Sequence, residues 1–483
     1  MNGVESAAAP RRRFVLLALA VVALGAALRA WRLGEWSYWT DEAHTISDAN
    51  ALVSGDAGQG FAGHRLSFFL YGAAYSAARA LGIPFGETVA RAVPAFFGVL
   101  AVAMTAGVGA LVAGRSGAIL GALLVALSPF QIYWSQNARS YALEVALAIP
   151  AGIMLARGLA TQRWGPLLTG VALLGLAASA HPTALALVPG IVAYALVATR
   201  FSAANGSRKR LLWIAGAIVA LGAAFVASPL GKSVSLHFLV KSDRSPFLFL
   251  ATVAFYFRPP MLAAGACLAI RAFARRDAPS ALLALLSLGT IAAGFAASWL
   301  VRANAQYVIV AFPFLALLVG REIADLVGGR DRALKLGGFA LAATLAVDQA
   351  AGAFLYFGPE HGHRAYFREA SAYVWGHAAP GDLVATTQAP IVECYLNPSN
   401  PRPREATASL YLGPYEPEQL ELMLSRRRRT WFIVLDVDLE EFSADYRQAL
   451  ARFLREECRQ VAAWPLQFSG RDQSLHVWRY DPP

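Results

Sequence analysis

Trp36-Ser37-Tyr38-Trp39-Thr40-Asp41-Glu42-Ala43-His44 follows the first long apolar run, Phe14 to about Ala30, and sets two adjacent carboxylates among aromatic rings. Where such a run leaves a membrane, an acidic pair is costly to dehydrate. It needs a proton to take, a cation to hold or a partner charge. The rest of the chain is organised around that stretch.

Of 483 residues, 57% are hydrophobic and only 15% charged. A soluble domain carries about 25% charged residues, so most of this chain is expected in lipid. The net charge of +11 is unevenly spread: residues 360–483 carry 14 Arg and no Lys against 17 acids, whereas the first 359 carry 28 basic residues against 14 acids. Basic charge confined to the apolar part points to membrane topology and anionic lipid, and away from nucleic acid. Three cysteines, with no CxxC and no Cys/His cluster, argue against a structural zinc site. A Cys394–Cys458 disulfide and two buried thiols remain equal alternatives.

Apolar runs of about 20 residues recur. After the first, expected spans are 89–113, 116–134, 140–157, 165–181, 183–200, 211–229, 247–270, 279–300, 304–320 and 336–357. A cleaved signal peptide is the alternative for the first. With the N-terminus inside, each inside connection carries basic residues, from Arg11-Arg12-Arg13 through Arg115 and Arg271/Arg275/Arg276 to Arg330/Arg332/Lys335, as the positive-inside rule requires. Arg65–Leu81 is short and reads as helix along the outer surface. The expected protein is thus a polytopic α-helical membrane protein of about eleven spans. Its first outer loop (31–82) and its C-terminus lie outside, and residues 1–357 form the membrane domain. Residues 358–483 read as an exported α/β domain: helices at Tyr366–His377, Pro417–Arg428 and Asp445–Glu457, strands at Asp382–Thr387, Trp431–Asp436, Val461–Trp464 and Leu475–Trp478.

That topology gathers polar residues on the outer face: Asp41, Glu42, His44, His64 and Arg65; Gln136, Asn137, Arg139, Tyr141 and Glu144; His181; Lys232, His237, Lys241, Asp243, Arg244 and Arg258; Arg302, Gln306 and Tyr307. An acid pair among many cations suits a phosphate-bearing donor and a hydroxyl or amine acceptor. Each element has a plainer alternative. Trp31, Trp36, Tyr38 and Trp39 read as an interfacial aromatic belt. Thr40 with Asp41-Glu42 reads as a helix cap with acids in the first turn. Glu144 is a candidate buried partner for Arg139, and Lys232 and Arg258 for headgroup anchors.

The first-loop acids in Trp39-Thr40-Asp41-Glu42-Ala43 resemble the signature of the GT-C glycosyltransferases, more closely the branch of protein O-mannosyltransferases and lipid A aminoarabinose transferases. Ser128-Pro129-Phe130-Gln131-Ile132-Tyr133-Trp134-Ser135-Gln136-Asn137-Ala138-Arg139-Ser140-Tyr141-Ala142-Leu143 is similar to that branch's second motif. His64, Arg91-Ala92-Val93-Pro94-Ala95, His181, Gln306-Tyr307 and Tyr366-Phe367-Arg368-Glu369-Ala370 follow in the expected order. One departure stands out: Asn137 occupies a position where the branch commonly has an acid, so Glu42 or Glu144 substitutes, the acid is dispensable, or the copy is impaired.

The resemblance implies a polyprenyl-phosphate sugar donor in the outer leaflet of an inner or plasma membrane and an inverting transfer to a lipid, glycan or protein acceptor. Asp41 would be the general base, oriented by Glu42. Arg139, Arg302, Lys232 and Arg258 would meet the donor phosphate, and His64, Asn137, Tyr141, His181 and Tyr307 the substrates. If a divalent cation such as Mg or Mn is needed, Asp41 and Glu42 would hold it; otherwise no cofactor is expected, and no GxGxxG or Walker pattern suggests a nucleotide. The rivals are a transporter or flippase of a lipid-linked saccharide, disfavoured by the scarcity of mid-span charge and of paired broken helices, and a silent binding paralogue.

Overall fold

The computed structural model describes residues 5–53, 64–83, 86–201, 216, 244–358, 364–396, 407–411, 428–468 and 471–482. Apart from residues 216 and 428, the expected span 211–229 and the expected helix 417–428 lie outside these residues, as do Lys232, His237, Lys241 and Asp243. The chain forms two compact units. One comprises Met1–Trp31, Gly58–Leu70 and Ala92–Phe354; the other comprises Arg32–Ala57, Tyr71–Arg91 and Leu355–Pro483.

The first unit is helical. Among the described residues six helices are long and apolar enough to cross a membrane: Arg11–Ala30, Glu87–Gly107, Ala110–Leu127, Tyr141–Thr161, Ala278–Ala297 and Arg332–Phe357. A bent pair, Pro246–Phe257 and Pro259–Ala274, makes a seventh if counted as one span. Trp164–Ala180 and Pro182–Val197 are apolar but shorter.

Several expected boundaries move for local reasons. The chain breaks after Gly107 and kinks at Gly114 (φ 69°), so the expected spans 89–113 and 116–134 become Glu87–Gly107 and Ala110–Leu127. Ser128 then caps a new short helix, Pro129–Ser135, with proline in its first turn. A polar cap followed by proline recurs at His181-Pro182 and Ser245-Pro246, because proline tolerates the first helical turn but not the residue before it in helical geometry. The same rule splits the expected span 247–270. Arg258 precedes Pro259-Pro260, adopts φ 70°, and the two helices meet at 96°.

Close packing within this unit depends on small residues. A Cβ on Gly320 would lie 2.2 Å from the Gly117 carbonyl oxygen, and one on Gly117 would lie 2.8 Å from the Arg321 Cα. The helices Ala110–Leu127 and Ala311–Gly328 therefore pack backbone to backbone.

The second unit carries a five-stranded mixed sheet ordered β2-β1-β3-β7-β4: β1 Asp382–Thr386, β2 Thr407–Tyr411, β3 Thr430–Leu435, β4 Cys458–Trp464 and β7 Leu475–Tyr480. Between β4 and β7 lies a minor hairpin of β5 (Gln467–Phe468) and β6 (Arg471–Asp472). β1 pairs parallel with β2 and β3, and β7 antiparallel with β3 and β4. β1 and β3 are buried at every position, as continuous apolar runs in a covered sheet should be. The helix Ala444–Glu457 buries Tyr446, Leu450 and Leu454 against Ala385, Phe432 and Val434. Cys394 and Cys458 are free thiols.

Candidate active site

The acid pair opens the helix Thr40–Val53 in the second unit, where both carboxylates favour the positive end of the helix dipole. The Trp39 carbonyl accepts from the Glu42 and Ala43 amides, so the helix begins at this turn. Thr40 does not cap it. Its hydroxyl instead meets Gln388 Oε1 at 2.6 Å, and Gln388 Nε2 donates to Asp438 at 2.9 Å. Burial pushes the Asp438 carboxyl up to about 6.

The two acids have separate surroundings. Glu42 is fully buried and receives a bidentate fork from Arg91, Nε to Oε1 and Nη2 to Oε2, both at 2.9 Å, while Arg364 also donates to Oε2. Arg91 is itself fully buried and also donates to the carbonyls of Trp36 (2.8 Å) and Ser37 (3.0 Å). The fork thus fixes the backbone that leads into the acid pair. Asp41, one residue earlier, is half-buried. The pair divides its work: Glu42 pairs with buried Arg91 and part-buried Arg364 and anchors the turn, and Asp41 carries the more accessible carboxylate.

The aromatic stretch is only partly a belt. Trp31 is 61% exposed, but Trp36 and Tyr38 are buried. Trp36 packs edge-on against Tyr356, and Tyr38 packs tilted by 32° against Tyr395, with both pairs of ring centroids 5.3 Å apart. The Tyr395 hydroxyl donates to Glu87 at 2.7 Å and accepts from the Tyr38 amide at the same distance. Arg368 donates to Glu87 and Glu369 and to the carbonyls of Gly34 and Glu35. These arginines were missed as site residues by sequence reasoning. The available signal was a cation, Arg91, near the start of an apolar helix, where an unpaired charge is not tolerated.

In the first unit the 128–143 motif is bound by reciprocal capping. Buried Arg29 donates to the Val125 and Ala126 carbonyls at 3.3 Å and to Ser135 Oγ at 3.2 Å, at the carbonyl end of the helix Ala110–Leu127. Gln136 Nε2 returns the favour to the end of the first helix, donating to the Arg29 (3.0 Å) and Trp31 (2.6 Å) carbonyls. Each side chain satisfies carbonyls left over at the other helix's end. Asn137, fully buried, turns its amide back onto the Tyr133 carbonyl, and Arg139 is half-buried two residues on. Glu144 is partnered by Thr183 and His181.

Four of the five substrate-binding candidates come together here. The His181 ring lies 4.6 Å from His64, 4.6 Å from Tyr141 and 6.4 Å from Tyr307. Thr183 Oγ1 links the His181 Nδ1 (2.6 Å) to the fully buried Glu144 Oε1 (2.8 Å). The phosphate candidates are more scattered. Arg258 forms a bidentate pair with Asp348 at 2.7 and 2.8 Å, Arg302 is exposed, and Lys232 lies outside the described residues. Asp348, Glu144 and Glu322 also mean that charge within the apolar helices is commoner than the sequence suggested.

Among the described residues no group of three or more His, Cys, Asp or Glu is arranged to hold a metal ion. The acid pair does not fit a divalent cation through Glu42, because both of its oxygens already face arginine.

Comparison with family models and with curated proteins finds no match. Solved structures do match over nearly the whole chain. ArnT from Cupriavidus metallidurans in the apo state superposes with a TM-score of 0.58 at 15% identity, covering 98% of this chain and 98% of that one. ArnT bound to undecaprenyl phosphate gives 0.59 at 15% identity, covering 96% and 97%. The oligosaccharyltransferase AglB from Archaeoglobus fulgidus, in complex with an inhibitory peptide and a dolichol-phosphate, gives 0.58 at 11% identity, covering 88% and 70%. This chain has the GT-C fold. The archaeal enzyme has also been crystallised with Zn and sulfate, with a TM-score of 0.59 at 12% identity over 95% of this chain and 72% of that one.

Proposed function

We propose that the protein is a multi-pass membrane glycosyltransferase that moves a sugar from a polyprenyl-phosphate donor to a lipid, glycan or protein acceptor, with inversion at C1. Support comes from the GT-C fold, shared with an ArnT that binds undecaprenyl phosphate and an AglB that binds dolichol-phosphate. The observation that carries the reading is the division of the acid pair, in which a buried Glu42 held by Arg91 and Arg364 supports a half-buried Asp41 at a helix N-terminus.

In this mechanism Asp41 takes the proton of the acceptor hydroxyl or amine as its lone pair attacks C1. The C1–O bond breaks with its electron pair passing to the departing polyprenyl phosphate. A phosphate leaving group needs no protonation, so one carboxylate base suffices, unlike the two of glycoside hydrolysis. The sequence reading assigns the released charge to Arg139 and Arg302, with Arg258, which is paired with Asp348, and Lys232 as further candidates. The proposal keeps the sequence reading of an N-terminus inside and about eleven spans, with this chemistry on the outer face of an inner or plasma membrane.

The test is to incubate the purified protein with polyprenyl-phosphate sugars, with and without chelator, and to identify products by mass spectrometry. No product from any donor and acceptor pair refutes the proposal. A flippase is a second reading, favoured by the 96° break at Arg258 with its intramembrane ion pair. Uptake of lipid-linked saccharide into proteoliposomes without a glycosylated product would establish it instead.

A further inference from the structure

The C-terminal sheet changes direction at β1, with β2 paired on one side of it and β3 on the other. Open α/β sheets receive their ligands in the crevice outside the carboxyl ends of strands at such a point. In this protein the chain's own Thr40, the residue before Asp41, docks at the carboxyl ends of β1 and β3. Gln388 stands two residues past the end of β1, and Asp438 three residues past the end of β3. Gln388 Nε2 donates to Asp438 Oδ2 at 2.9 Å, and Gln388 Oε1 accepts from the Thr40 hydroxyl at 2.6 Å.

Chemistry sets the direction of that chain. With a pKa of about 6, Asp438 is ionised at pH 7.5 and can only accept. It therefore takes the amide NH2 of Gln388 and leaves the side-chain carbonyl for Thr40. The Gln388 backbone is fixed as well. Its amide donates to Thr386 Oγ1 at 3.1 Å, and its carbonyl accepts from the Ile391 and Val392 amides at 3.1 and 3.2 Å, where the helix Ala389–Leu396 begins. That helix holds the acid turn at two further points: the Tyr395 hydroxyl accepts from the Tyr38 amide at 2.7 Å, and Cys394 Sγ lies 3.9 Å from the Ala43 carbonyl oxygen. Contacts at residues 38, 40 and 43 thus bracket Asp41, and the Thr40 bond is the nearest to it in the chain.

We infer that Gln388, fixed by Asp438, is a positioning residue that sets the direction of the Asp41 carboxylate through Thr40. This role rests on the reading of Asp41 as the base and deepens it. A general base must lie within hydrogen-bond reach of the proton it takes, and a misplacement of about 1 Å costs on the order of a hundredfold in rate. A turn loosened at Thr40 slows the chemical step and leaves donor binding unchanged.

The experiment compares variants of the full chain in nanodiscs at pH 7.5, using the donor and acceptor pair that yields product in the mass-spectrometric screen. kcat is expressed per molecule able to bind undecaprenyl phosphate, so misfolded protein is not counted. Thr40→Val and Gln388→Leu each lower kcat roughly tenfold, the rate equivalent of one hydrogen bond, with donor KM within about twofold of wild type. The double variant loses no more than either single, because both remove the same contact. Thr40→Ser keeps the hydroxyl and restores kcat, whereas Asp438→Leu lowers it. Wild-type kcat in Thr40→Val or Gln388→Leu, additive losses in the double variant, or a Thr40→Ser as slow as Thr40→Val overturns the positioning role and leaves the base standing. Wild-type kcat in Asp438→Leu overturns the part assigned to Asp438. Unchanged turnover in Asp41→Asn overturns the base and the positioning role together, and no product from the wild type overturns the transferase reading with them.

Discussion

Replacing Glu42 by glutamine tests the division of the acid pair most sharply. The change keeps the shape of the side chain but removes the charge that balances Arg91, which is fully buried, and Arg364. Losing one partner of a buried ion pair costs about 3–5 kcal/mol, because the remaining charge stays dehydrated and unbalanced. For a unit of roughly 150–250 residues each kcal/mol lowers the melting temperature by about 2–4 °C. Glu42→Gln should therefore lower the apparent melting temperature of the detergent-solubilised protein by on the order of 10 °C, measured at a fixed scan rate. Arg91→Met should cost a similar amount. The double variant Glu42→Gln/Arg91→Met should cost about 2–3 kcal/mol less than the sum of its singles, since the fully buried Arg91 charge is then not stranded and only the less buried Arg364 loses its partner. Asp41→Asn, altering the half-buried neighbour, should leave the melting temperature within about 2 °C of wild type while abolishing sugar transfer. If Glu42→Gln melts like wild type, or if the double variant is additive, Glu42 is not the anchor described above.

Other perturbations follow from the same geometry. Turnover that persists in Asp41→Asn with intact donor binding would remove Asp41 as the base. Asp438 has a folded-state pKa raised to about 6 by burial, above its ordinary value of 3.8. The unfolded state therefore ionises first, and stability falls as pH rises from about 4 to 6, by no more than about 3 kcal/mol; Asp438→Asn should flatten that slope in melting curves across the window. Gly320→Ala places a methyl against the Gly117 carbonyl and should lower the melting temperature by several degrees, whereas Gly328→Ala, with open space around it, should not. Burial pushes the Cys394 thiol up to about 12, so maleimide should spare Cys394 at neutral pH until the protein is unfolded.

The sequence by itself determined the fold class, because membrane helices announce themselves by long uninterrupted apolar runs. Part of the C-terminal region was legible for the same reason: apolar runs such as Trp431–Leu435 and the amphipathic Ala444–Glu457 encode their burial locally, whereas the strand Thr407–Tyr411 and the helix Ala389–Leu396 were not read from the sequence. The order of short motifs brought His64, Tyr141, His181 and Tyr307 into consideration, and the structure places their rings together. Only the tertiary structure decided which acid of Asp41-Glu42 is structural. The deciding partners, Arg91 and Arg364, lie 49 and 322 residues away from Glu42 in sequence. Local pattern carries no information about such distant charges. The same limit hid the Arg258–Asp348 pair, which is separated by 90 residues, and the Glu144–Thr183–His181 cluster. Burial makes each pairing energetically necessary, and the chain supplies each partner from wherever the packed helices bring it near.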